Sequence, residues 1–166
     1  GAEEAAGVVE GRGGGPGGMR KGVRAKRRRL SYRNQGFGLV ACDGRTPREV
    51  LFAGAGPNMQ SELDLAGVAR AGTGPAVVLS KCGGRLYAGH AKGNAHEGQA
   101  EDEGGFAAVG QGVLDWNAIL PAAAAAGAHW YIVEHDHPRD PAKVIQAGAD
   151  YLREHLTVTL PARASR

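Results

Sequence analysis

The chain has 166 residues, 42% of them apolar and 22% charged, with 28 Gly and 20 Lys+Arg against 17 Asp+Glu. That length suits one domain of ordinary size and falls short of two, and no apolar run approaches the roughly 18 residues of a membrane span. Cys42 and Cys82 stand too far apart for a close-spaced metal or redox motif and do not form a disulfide framework, so a reduced, cytoplasmic setting is expected, with no export signal and no membrane partner.

The excess charge is local. Residues 1–36 carry nine Lys/Arg and three Glu, a net of +6, whereas the remainder carries 11 basic and 14 acidic groups, a net of −3. Residues 1–18 are dominated by Gly, whose ordering costs more backbone entropy than two Val contacts return, so a flexible lead is expected there. Seven Lys/Arg fall between Arg20 and Arg29. Such a run is able to neutralise phosphates, but no aromatic interleaves it before Tyr32, and a solvated helix face is expected in preference to a nucleic-acid surface.

Beyond that run, segments of two kinds alternate. Strand signals lie at about 29–35, where Leu30, Tyr32 and Phe37 open an extended stretch, and at 59–64, 85–90 and 129–134. Helical spacing marks 47–56, two pieces within 64–84 broken at Gly72-Thr73-Gly74-Pro75, then 115–127 and 140–156. In 115–127, Trp116, Ile119 and Leu120 share a face, and Gly127 supplies a stop. In 140–156, Asp140 is placed to cap, Pro141 stands at the first helical position, and Val144, Ile145, Leu152 and Leu156 form a stripe. Strands alternating with helices predict an α/β fold with a parallel sheet and crossover helices. The Gly-rich polar stretch 91–114 reads as a long loop above the sheet, where such folds carry their sites.

Three ionisable residues close three of the strand signals: Asp64, His90 and Glu134. Their separations, 26 and 44 residues, are too long for a local motif, so only the fold can gather them. Oxygen and nitrogen donors of this kind suit Mn, Mg, Co or Zn as a divalent ion. Each has a plainer reading. Asp64 is placed to cap the following helix, His90 to face a loop, and Glu134, which follows an apolar run and needs a partner if buried, to pair with His129, His135 or a lysine. The HEG at 96–98 and the HDH at 135–137 have no known ligand spacing and read as loop.

Five ordered segments carry a resemblance: DGRTPREVLF (43–52), SELDLAGVARAG (61–72), GRLYAGHAKG (84–93), VGQGVLDWNAIL (109–120) and HWYIVEHDHPRDPAKVIQAGADYL (129–152). Together they resemble the C-terminal half of the sugar phosphate isomerase/epimerase family, xylose isomerase-like (β/α)8 barrels. The resemblance implies a partial TIM barrel of about four parallel strands over 19–157, followed by a tail at 158–166. It also implies a small carbohydrate or polyol substrate and proton transfer next to a carbonyl. It further implies a divalent metal held by Asp64, His90 and Glu134, with Glu134 also catalytic, and a Lys92 that meets either a substrate oxygen or a neighbouring carboxylate.

The departures are specific. Where the family reads YHNH-x-FEF, this chain has Tyr32-Arg33-Asn34-Gln35-Gly36-Phe37-Gly38-Leu39, so both histidines and the glutamate are absent. Arg33 brings a positive charge towards the cation position, which opposes a metal unless a carboxylate or phosphate offsets it. The acid of the H-x-KD motif is Gly93. A closed barrel needs about 250 residues, so open edges are expected, met by self-association or by a missing N-terminal half. The competing reading is a catalytically inactive or truncated remnant of the barrel.

Overall fold

The computed structural model describes residues 30–34, 36–57 and 59–156. The expected lead at 1–18, the basic run from Arg20 to Arg29 and the tail at 158–166 lie outside the described residues.

The described residues form six strands: β1 (Ser31–Arg33), β2 (Gln60–Asp64), β3 (Leu86–Ala91), β4 (Gly93–Asn94), β5 (Phe106–Ala107) and β6 (Trp130–Val133). Five α-helices of the described residues run between or after them: α1 (Pro47–Ala55), α2 (Leu65–Arg70), α3 (Pro75–Ser80), α4 (Trp116–Ala125) and α5 (Pro141–His155). The main sheet has the order β1-β2-β3-β6 with every pairing parallel. This is the expected four-stranded α/β sheet with crossover helices. The first strand falls furthest short of its signal: it ends at Arg33, and Phe37 falls in a 3-10 turn, Gly36–Leu39, whereas β2 and β6 are trimmed by one and two residues.

Helix starts follow local chemistry. Thr46 and Glu49 form a reciprocal capping box ahead of Pro47, which satisfies two backbone N–H groups at once. Asp64, Asp115 and Asp140 each accept a backbone N–H from the first turn of α2, α4 and α5. Gly72, at φ 78°, breaks the chain between α2 and α3 as expected, and Gly127, at φ 93°, follows the end of α4.

Register sorts the sheet into two faces, since alternate residues point opposite ways. Leu63, Ala91, Tyr131 and Val133 point to the helices, and the main core gathers Leu63, Leu65, Leu79, Leu86, Trp116 and Ile119. Phe52, Ala55 and Met59 form a smaller cluster with Tyr32 against it, the Tyr32 and Phe52 rings meeting edge-on at 6.2 Å. The stripe on α5 is narrower than expected: Leu152 is buried, but Ile145 is 43% exposed. Its contact with the sheet centres instead on Gly148, where an added Cβ would lie 2.7 Å from Val133 Cγ1.

The opposite face of the sheet has no helix layer among the described residues. It carries polar groups towards the carboxyl ends of the strands and, on β6, Trp130 and Ile132, 60% and 39% exposed. No helix among the described residues is long and apolar enough to cross a membrane.

Candidate functional site

Parallel strands end at one rim, and the open face delivers its polar residues there in rows. Arg33 pairs in register with Glu62, Asp64 with His90, and His90 with Ile132. Period-two alternation then puts Arg33, Glu62, Asp64 and His90 on the same side, with Lys92 and Glu134 just past the strand ends, and Asp136 joins them from the bend after β6.

The side chains converge. His90, 7% exposed, lies between two carboxylates: Nε2 is 2.5 Å from Glu62 Oε1 and Nδ1 is 2.7 Å from Glu134 Oε2. Ser31 Oγ donates to the other Glu62 oxygen at 3.2 Å. Lys92, 3% exposed, places Nζ 3.1 Å from Asp64 Oδ2, 3.1 Å from Glu134 Oε1 and 2.8 Å from Asp136 Oδ2. Arg33 Nη2 lies 2.6 Å from Glu134 Oε1 and 3.5 Å from Asp64 Oδ2. Asp64 thus does two jobs, since its Oδ1 accepts the Gly67 N–H at 2.8 Å as the cap of α2. The buried Asn34 fixes the Asp64 backbone by accepting its N–H at 2.8 Å.

Charge follows this geometry. Burial alone would pull Lys92 down, but hydrogen bonds to Asp136 and Asp64 outweigh it and hold the ammonium above its usual range. Burial would likewise raise Glu134 and Asp136. Hydrogen bonds from His90 and Lys92 to Glu134, and from Lys92 to Asp136, prevail and keep both carboxyls below theirs. At neutral pH both are therefore ionised and face a charged lysine.

The loop after β3 closes the rim. β4 and β5 pair antiparallel, and Arg70 pins them, Nε donating to Asn94 Oδ1 at 2.9 Å and Nη2 to Gly104 O at 2.7 Å. The Phe106 ring carries Arg70 at 3.6 Å and Lys92 Nζ at 4.6 Å from its centroid. The same packing accounts for Gly93. A Cβ there would lie 2.7 Å from Gln111 O, 2.8 Å from Ala108 O and 3.0 Å from Ala107 O, so no aspartate fits, and Lys92 takes its acid partner from Asp136.

Asp64, His90 and Glu134 are brought together, with Lys92 among them. His96 and His135 instead line a cavity of about 330 Å3 together with Phe106. Glu62 has no part in the sequence reading, although it stands two residues before Asp64 on the same strand face, and Asp136 belongs to the HDH that reads as loop, yet it is a partner of Lys92. The donors have the right chemistry for a divalent ion, but they are spent. Both His90 nitrogens face carboxylates, and the inward oxygens of Asp64 and Glu134 face Lys92 and Arg33. Among the described residues no three His, Cys, Asp or Glu side chains form a group able to hold a metal ion. As arranged, the residues do not fit one.

No family model matches this sequence, and no curated protein does. Solved structures do. A sugar phosphate isomerase/epimerase from Parabacteroides distasonis ATCC 8503 superposes with a TM-score of 0.68 at 19% identity, over 92% of this chain and 54% of that one. A second from the same organism gives 0.65 at 18%, over 93% and 53%. The probable 3-DHS dehydratase AsbF, involved in petrobactin synthesis in Bacillus anthracis, gives 0.61 at 10%, over 93% and 57%. The chain spans about half the length of these neighbours. The likeness is one of fold: a partial barrel that superposes on about half of each of these structures.

Proposed function

We propose that the rim is the acid–base half of an isomerase- or epimerase-like site that takes a small aldose, ketose or sugar phosphate and moves a proton next to its carbonyl. The observation that carries this is the Glu62–His90–Glu134 chain, at 2.5 and 2.7 Å, beside an ionised Lys92. Glu134 is ionised and partly open to solvent, so it is the group to accept a proton from carbon. The carbonyl oxygen would gain negative charge in that step, and the Lys92 and Arg33 cations are the groups near enough to offset it. His90 holds the Glu134 carboxylate in place and links it to Glu62 as a second proton carrier. Opposing walls for a substrate would come from a second half-barrel.

Proton NMR in D2O tests this on the full chain, with a panel of aldoses, ketoses and their phosphates. Loss of the C–H signal next to a carbonyl is expected, abolished in Glu134→Gln. If no sugar of the panel exchanges a proton faster with the protein than without it, the reading fails.

A second reading, a catalytically inactive remnant, draws on one contact: Arg33 Nη2 at 2.6 Å from Glu134 Oε1 ties up the very oxygen a base would use. The same NMR experiment separates the two, and restored exchange in Arg33→Ala would place the block at that residue.

A further inference from the structure

We propose that this rim carries its own cations: Arg33 and Lys92 take the place of a divalent metal ion between Asp64 and Glu134, and Arg33 is the one that shuts a metal out. The inference rests on reading this rim as the site, but not on turnover. Two nitrogens share the same two oxygens. Lys92 Nζ lies 3.1 Å from both Asp64 Oδ2 and Glu134 Oε1, and Arg33 Nη2 lies 3.5 and 2.6 Å from the same pair. A hard divalent ion would need both oxygens within about 2.0–2.6 Å, in the space where the two nitrogens now sit. Two single positive charges therefore do electrostatically what one double charge would do.

The two cations are not equivalent. Lys92 has a side chain only 4% exposed and a third partner in Asp136, so it is built into the rim. The Arg33 side chain is 39% exposed and reaches in from the edge strand β1. Its removal would leave Glu134 Oε1 and Asp64 Oδ2 with Lys92 alone, and would open one side of the pair to solvent. Like charges left close together repel, and a cation from solution relieves that repulsion. The expected ligands of the incoming ion are those two oxygens, supplied by β2 and the end of β6, with water completing its shell.

Manganese binding to the full chain, followed by the loss of the free Mn2+ electron paramagnetic resonance signal, tests the proposal. Wild type is expected to show no saturable uptake below about 1 mM. Arg33→Ala is expected to take up one Mn2+ at least about tenfold more tightly, and Arg33→Ala/Glu134→Gln to lose that gain. Arg33→Gln, which keeps the size and removes the charge, serves if the alanine variant does not fold. Stoichiometric micromolar binding by wild type that Glu134→Gln abolishes would overturn the proposal, and so would an Arg33→Gln variant that folds and gains nothing. A negative sugar-exchange experiment leaves it standing, so the two ideas fail separately.

Discussion

Replacing Lys92 by methionine would keep most of the side-chain volume and leave Asp64, Glu134 and Asp136 facing one another without a cation between the first two and the third. Breaking a buried pair costs about 3–5 kcal/mol, and about 3 kcal/mol is expected here because Glu134 and Asp136 keep contact with water. Urea unfolding of Lys92→Met against wild type measures it. The same contacts set the pH response. Glu134 and Asp136 have folded-state pKa values below those of the unfolded chain, so their contribution is complete above the ordinary carboxylate value, about 4, and is lost as pH falls through the lowered ones. Lys92 is shifted up, so its contribution is complete below about 10.4 and disappears as pH rises through the higher folded value. A stability plateau between those limits is expected from urea midpoints measured across pH, and Lys92→Met should flatten its alkaline edge.

Helix α5 shows how an element is tuned to its neighbour. Its start is local, with Asp140 accepting the Lys143 N–H at 3.0 Å, so Asp140→Ala should cost about 1 kcal/mol in thermal or urea unfolding. Its middle is not local. Gly148→Ala would raise helix propensity by about 1 kcal/mol, yet the new methyl would meet Val133 Cγ1 at 2.7 Å and Val109 Cγ2 at 3.2 Å. Both neighbours are β-branched and stiff, so a net loss of about 1–2 kcal/mol is expected from overpacking, again read by unfolding. This contrast marks what the sequence makes legible. The capping acids, the break at Gly72–Pro75 and the buried face of Trp116, Ile119 and Leu120 can be read from a few adjacent residues, and the structure has them all. The stripe over Val144, Ile145, Leu152 and Leu156 is only partly used, because β6 approaches α5 at a glycine rather than at its widest apolar face. The rim behaves likewise. Asp64, His90 and Glu134 are visible as strand-end residues, whereas the Arg33–Glu134 contact joins residues 101 apart and depends on how far an edge side chain reaches across the sheet.

At the scale of the molecule, the four-stranded sheet presents, among the described residues, one finished face and one open one. Trp130 and Ile132 of β6 stand exposed on the open face, and both outer strands have an unpaired edge among the described residues. Such an edge next to apolar side chains invites further pairing. The 166-residue chain alone is expected to self-associate with rising concentration in sedimentation velocity, and Trp130→Ser/Ile132→Ser to weaken this without loss of helical circular dichroism. A pure monomer of wild type at all concentrations would contradict that. The exposed indole provides a second signal, since its emission should shift to shorter wavelength as the face is covered.

The partners of the central histidine and lysine also carry a lesson in time. Glu134 and Asp136 each lie 44 residues beyond His90 and Lys92, respectively. A ribosome that has delivered the first three parallel strands still exposes a rim in which the imidazole has only Glu62, and the ammonium only Asp64, as a carboxylate partner. Docking of the fourth strand brings Glu134 to both and Asp136 to the lysine at one stroke. The polar rim is therefore assembled last, and a nascent chain halted anywhere short of it should remain soft and open to proteolysis at just the end of the sheet where chemistry would occur.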